Sequence, residues 1–125
     1  MQKIKLYHLS NKDIKGRISI KFFNDNLYTF NDYKISKVKR AFYYLDLKNI
    51  EYRFKNCVYL YVIEIDKKKI YNLNTDDLKL KNKFNTINDL LIYLKNNFLG
   101  AYYSIGNLKM AVLFKGVKFK SKVKR

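Results

Sequence analysis

The sequence predicts an α+β domain, a small mixed or antiparallel sheet with one clear helix, and three observations predict it. Residues 57–65, CVYLYVIEI, are apolar or aromatic at all but one position, rich in Val, Ile and Tyr, and free of Gly and Pro. Such a run reads as a strand covered on both faces and placed at the centre of a sheet. Further short runs of the same character recur along the chain. Residues 86–97, TINDLLIYLKNN, carry the clearest helical spacing, with Ile87, Leu90, Leu91 and Leu94 on one stripe.

Taken in order, residues 3–10, KIKLYHLS, predict a short strand that ends beside His8, the one histidine of the chain. Polar Asn11 and Lys12 and a turn toward Gly16 follow. Residues 17–23, RISIKFF, alternate in part and predict a second short strand, and residues 24–32 are turn-rich and long enough for a lid. Residues 34–47 begin with Lys34, Lys37, Lys39 and Arg40 and pass into an apolar block, either a strand or a strand leading into a helix. After the central strand, residues 66–69 form a charged turn and residues 70–73 a short or edge strand, closed by the turn chemistry of residues 74–77.

The helix over 86–97 has Thr86 as N-cap, with Asp89 three positions on. Gly100 is expected to take the left-handed conformation that ends it. Residues 101–105 and 109–114 predict two strands around a Gly106-Asn107 hairpin turn. Residues 115–125 then form a basic final strand or a loose tail, with Lys118, Lys120, Lys122 and Lys124 at alternate positions.

A chain of 125 residues is expected to be one domain with a real core. A hydrophobic fraction of 48% excludes disorder, and no run reaches the roughly 18 apolar residues of a membrane-spanning helix. Residues 1–4 lead into only a very short apolar stretch, so no secretory leader is read and a cytoplasmic location is expected. Cys57, inside the expected core strand, is read as a buried, reduced thiol, and one Cys with one His excludes the common zinc patterns.

Charge is the strongest compositional fact, with 27 basic residues against 10 acidic and a formal net charge of +17. The abundance of Lys, Asn, Ile, Tyr and Phe fits an AT-rich genome. Glu codons fit such a genome equally well, yet Glu occurs only at Glu51 and Glu64, so the shortage of acid belongs to the protein. An anionic partner follows, either nucleic acid or an acidic protein surface. The excess of Lys over Arg favours diffuse contact with a backbone over bidentate reading of bases.

Four glycines, at positions 16, 100, 106 and 116, supply neither a phosphate-cradling loop nor a dinucleotide fingerprint. Glu64 and Asp66 share one strand end and make no convincing catalytic carboxylate pair. His8 reads either as a polar strand end or as a functional side chain, and Tyr43 and Tyr44 as core or as a ligand platform. Arg40 either holds a phosphate or extends the solvated basic run. The lysines at 118, 120, 122 and 124 either contact nucleic acid or protect a sheet edge from aggregation.

The order of YHLS, RAFYY, VYLYVIEI, a helix, FLGAYYSIGN and KMAVLFKGVKFKS resembles the small ADP-ribosyltransferase fold. The resemblance implies NAD as cofactor, with His8 at the ribose, Tyr43 or Tyr44 against the nicotinamide and Ser10 nearby; His8, Tyr43 and Asn107 are then the expected catalytic residues, and Arg40 joins the expected cofactor-binding ones. Its late acidic residue is missing, and the corresponding turn offers neutral Asn107, which hydrogen-bonds a hydroxyl but carries no charge to offset a developing cation. Two functions are therefore expected from different classes. One is an ADP-ribosyltransferase-like effector, encoded by a phage or mobile element, that modifies a nucleic acid or host protein. The other is a non-catalytic basic protein that binds nucleic acid or inhibits a host nucleic-acid machine as an anti-defence factor.

Overall fold

The computed structural model describes residues 2–21, 38–48, 57–73, 87–105 and 107–124. Nine strands lie among them: β1 (Lys3–Ser10), β2 (Arg17–Ile18), β3 (Ala41–Tyr44), β4 (Tyr59–Asp66), β5 (Ile70–Asn72), β6 (Gly100–Ile105), β7 (Leu108–Leu113), β8 (Val117–Lys118) and β9 (Ser121–Lys124). One α-helix, α1 (Ile87–Asn97), and a 3-10 turn over Lys67–Lys69 complete the described elements. Seven strands form one mixed sheet in the order β5-β6-β7-β3-β1-β4-β9, and β2 pairs with β8 as a separate ribbon. Only β5 and β6 run parallel. The expected α+β fold of ADP-ribosyltransferase type is therefore corrected: sheet dominates and one helix backs part of it. Composition contributes, because β3 and β4 consist mostly of Val, Ile, Tyr and Phe, which pack better on a pleated surface than on a helix.

Each face of the sheet has its own core. On one face Leu6, Tyr43, Tyr61, Ile63, Ala111 and Leu113 are buried together with Ile18 of the ribbon, and Ile14, Ile20, Val117 and Phe119 pack against them. On the other face Leu90, Leu91 and Leu94 of α1 are fully buried against Ala101, Tyr103, Val112 and Phe114. Three leucines at this burial contribute about 2 kcal/mol each, which holds a helix too short to be stable alone. Ile92 lies on the solvent side of α1 and is 43% exposed.

The expected central strand is also corrected. β4 is the second strand from an edge, between β1 and β9, and its burial alternates so that Tyr61, Ile63 and Ile65 are buried while Leu60, Val62 and Glu64 are half-buried. Alternating apolar residues of similar size hid the two-sided difference. Cys57 precedes β4 and is a free, half-buried thiol, not a core residue. Gly100 does not cap the helix. The helix ends with the Phe98 amide bonded to the Leu94 carbonyl at 2.7 Å, and Gly100 opens β6. A Cβ there would stand 2.2 Å from the Val112 carbonyl oxygen and 2.6 Å from Leu113 Cδ2, so close approach of β7 requires the glycine.

Of the expected second strand over 17–23, residues 22 and 23 lie outside the described residues, and among the others the strand is Arg17–Ile18, held by register pairs Arg17 with Lys118 and Ile18 with Val117. Gly16 before it has φ +76°, the turn geometry that favours glycine. The basic end of the chain is ordered as β8 and β9, with β9 paired to β4 along the edge. In the β6–β7 hairpin Ile105 pairs with Leu108. The lid over 24–32, the Thr86 cap, Glu51 and the placement of Gly106 lie outside the described residues. No helix among the described residues is long and apolar enough to cross a membrane.

Candidate functional site

β1 and β4 hold register over eight pairs, from Lys3 with Asp66 to Ser10 with Tyr59. β1 and β3 share only the pair Tyr7 with Tyr44, after which the two strands part. A cavity of about 450 Å³ opens in that fork. Its apolar wall is Leu9, Ile14, Ile18, Ala41, Phe42 and Tyr44, and its polar wall is His8, Ser10, Asn11, Lys12, Ser19 and Lys21.

His8 stands at the crotch of the fork. Its Nδ1 lies 2.9 Å from the Phe42 carbonyl oxygen, and because a carbonyl only accepts, Nδ1 carries the proton. Nε2 is then the lone-pair nitrogen. Burial holds the His8 pKa below its ordinary value of 6.5, the Phe42 carbonyl opposes that shift, and the positive charge of Lys21 adds to it. The ring is also wedged between Tyr43 and Tyr61, with centroids at 5.4 and 6.2 Å.

The loop after β1 is pinned by a buried tyrosine. The Tyr61 hydroxyl donates to the Lys12 carbonyl at 2.8 Å and accepts from the Ile14 amide at 2.6 Å. Asn11 Oδ1 accepts from the Val58 amide at 3.2 Å, and Ser10 Oγ accepts from the Lys12 amide at 3.0 Å. These bonds present the exposed Lys12 at the rim. Asp13, the acidic residue of this loop, bonds instead to Lys122 and Lys15, whose ammonium groups hold its carboxyl below the usual range. Among the described residues that line the cavity, none is acidic.

The sequence-predicted residues divide accordingly. His8, Ser10 and Tyr44 come together around the cavity. Tyr43 does not line it: the side chain is fully buried on the ribbon face, burial pushes its pKa up, and its hydroxyl has no hydrogen-bond partner among the described residues. Arg40 is neither on a solvated run nor at the cavity. It is fully buried, with its amide and carbonyl bridged to Lys21, Nη1 donating to the Val38 carbonyl at 2.8 Å and the guanidinium 5.7 Å from the Phe42 ring. Asn107 sits exposed in the β6–β7 turn, beyond the Tyr44–Met110 pair at the other end of the sheet from His8.

Of the terminal lysines, Lys120 pairs with Glu64 at 2.8 Å and Lys122 with Asp13, while Lys118 and Lys124 are exposed. Lys122 also lies over the Tyr59 ring at 5.7 Å. Lys12 and Lys21 are the cations of the cavity, and sequence reasoning missed both. Lys12 had one available signal, its place two residues beyond Ser10; Lys21 is paired to the distant Arg40 by a β-bridge, which no local pattern announces.

Chemically, the fork offers a neutral imidazole acceptor, the hydroxyl-bearing Ser10, Ser19 and Tyr44, an amide, two ammonium groups and an apolar wall. Among the described residues no three His, Cys, Asp or Glu side chains gather as metal ligands. The chain matches no family model, no curated protein and no solved structure.

Proposed function

We propose that this protein binds single-stranded nucleic acid, with a nucleotide seated in the fork between β1 and β3. The observation that carries the reading is the cavity itself, which joins an apolar wall to Lys12 and Lys21 and has no acidic residue among its described lining. A base fits the wall of Leu9, Phe42 and Tyr44, and the two ammonium groups meet its phosphates. His8 Nε2 accepts a hydrogen bond from a sugar hydroxyl or a base amino group. The net charge of +17 supplies long-range attraction.

The test is fluorescence anisotropy of short labelled RNA and DNA strands over a series of salt concentrations. Binding is expected to weaken steeply with salt, and Lys12→Gln with Lys21→Gln is expected to reduce the logarithmic salt slope by about 1.4, at about 0.7 per phosphate contact. Absence of binding at low salt, or a slope indifferent to both lysines, rejects the reading. A salt-insensitive complex with a protein would assign the basic surface to an acidic protein partner.

A second reading is NAD-linked transfer in the same cavity, favoured by the meeting of His8, Ser10 and Tyr44 there. It lacks a carboxylate to stabilise an oxocarbenium-like transition state. NAD added as a competitor in the same assay separates the two: displacement of the oligonucleotide supports a shared NAD site.

A further inference from the structure

A second cavity, of about 320 Å³, lies at the opposite end of β1, and we propose that it binds a phosphate group. Ile4, Leu45 and Tyr102 form its floor, where all three pack against the core of the ribbon face. Lys67, Lys109 and Ser104 form its rim. Ile4 is four residues from His8 along one strand, so these two lining residues are about 13 Å apart at the ordinary rise per residue.

The fold brings the two cations together from separate elements. Ser104 and Lys109 are register partners in the β6–β7 hairpin and therefore share a face, with Tyr102 two residues away on that same face. The Leu45 amide bonds the Lys109 carbonyl at 2.9 Å, which fixes the floor beside that strand. Lys67 is held over the start of β1 by its amide, which donates to the Gln2 carbonyl at 3.0 Å.

Nothing acidic among the described lining residues offsets these charges. Asp66, next to Lys67, and Asp46, next to Leu45, lie outside the lining and each accepts a backbone amide of its own turn, from Lys68 at 3.1 Å and Lys48 at 3.0 Å. The contrast with the edge of the sheet is instructive, since Lys120 and Lys122 there each have a carboxylate. Two like charges on one concavity, with a serine and a tyrosine hydroxyl beside them, favour an anion with several acceptor oxygens. Phosphate has that chemistry. It is common to a nucleic-acid backbone, in which case the site extends the nucleic-acid reading above, and to a free phosphate ester, in which case it is independent of that reading.

The experiment is an amide NMR titration of the full chain with inorganic phosphate against chloride at matched ionic strength. Saturable shifts are expected at Lys67, Tyr102, Ser104 and Lys109. Lys67→Gln with Lys109→Gln is expected to weaken binding by roughly tenfold or more, the consequence of losing charge-assisted hydrogen bonds. The corresponding double Lys→Arg variant, which keeps the charges, should retain binding, and Lys118→Gln on the ribbon should not change it. Shifts confined to the fork at His8, or shifts unchanged by the double Gln substitution, overturn the proposal.

A single-stranded oligonucleotide in a parallel titration identifies the source. Shifts at the same four amides assign the site to a nucleic-acid backbone, and phosphate shifts without oligonucleotide shifts assign it to a free phosphate ester. Failure of oligonucleotide binding at Lys12 and Lys21 leaves the phosphate titration readable, so the two proposals fail separately.

Discussion

The His8 imidazole donates from Nδ1 to the Phe42 carbonyl across the point where β1 and β3 separate, at 2.9 Å. A side chain thus takes the place of a main-chain donor at the end of a ladder, and the same bond sets the tautomer that leaves Nε2 as an acceptor.

This arrangement has a pH signature. With the folded-state pKa held below 6.5 by burial, the unfolded chain takes up a proton at His8 first as pH falls, so this residue lowers stability below pH 6.5 until the folded state protonates as well. Above pH 6.5 both states are neutral and the penalty vanishes. His8→Asn, which retains a donor for Phe42 and does not titrate, is expected to remove this step. Urea unfolding on either side of that pH, with imidazole nitrogen shifts reporting the Nδ1–H tautomer, checks it; an unchanged step in the variant would place the titrating group elsewhere.

Two buried tyrosines give opposite expectations. Tyr61→Phe strips the partner from the Lys12 carbonyl and the Ile14 amide and should destabilise by about 1–3 kcal/mol, while loosening the loop that carries Lys12. Tyr43→Phe removes a buried hydroxyl that has no partner among the described residues and should be neutral or stabilising, by up to about 1 kcal/mol. Chemical denaturation of the pair measures both. Equal losses would mean that the Tyr43 hydroxyl is satisfied, for instance by a buried water.

Gly100 and Gly116 differ in the same way. Gly100→Ala forces a methyl into the Val112 carbonyl and should cost about 3 kcal/mol. At Gly116 the nearest atom to an added Cβ is the Ile18 carbonyl oxygen at 3.3 Å, and Gly116→Ala should stay within about 1 kcal/mol. Thermal midpoints of the two variants, compared with the parent, test the ranking.

Local signals were the legible ones. The apolar alternation and polar end of residues 3–10 mark β1 at its observed bounds, and the leucine spacing marks α1. The strands β6 and β7 follow from two apolar runs close together in the sequence. What escaped the sequence depends on distant partners. The β2–β8 ribbon joins Arg17 to Lys118 through strands of two residues, too short to carry a period. Gly100 looks like a helix stop because the β7 backbone that requires it lies elsewhere in the sequence. Arg40 follows three lysines and reads either as a phosphate ligand or as part of the solvated run, yet it is fully buried and bridged to Lys21, a residue distant in sequence. The fork exists because pairing stops after Tyr7 and Tyr44, which no residue type announces.

Asp13 connects the fork to the basic edge strand, and its removal should act on both. The carboxyl is held below 3.8 by hydrogen bonds from Lys122 and Lys15, so it stabilises the fold above that pH and the contribution is lost as pH falls through the depressed value. Asp13→Asn should flatten this part of the acid unfolding curve. The same substitution raises the net charge by one beside Lys12 and releases Lys122 from its carboxylate, so nucleic-acid affinity at low salt should rise and the logarithmic salt slope should steepen by about 0.7 for one added phosphate contact. Anisotropy titrations of Asp13→Asn alone and combined with Lys122→Gln measure the effect. A gain abolished by the second change assigns it to Lys122 on the edge strand; a gain that persists assigns it to the loop after β1, where Lys15 is released together with Lys122 and Lys12 lies beside it; and unchanged affinity in both variants would exclude this corner of the sheet from the nucleic-acid surface.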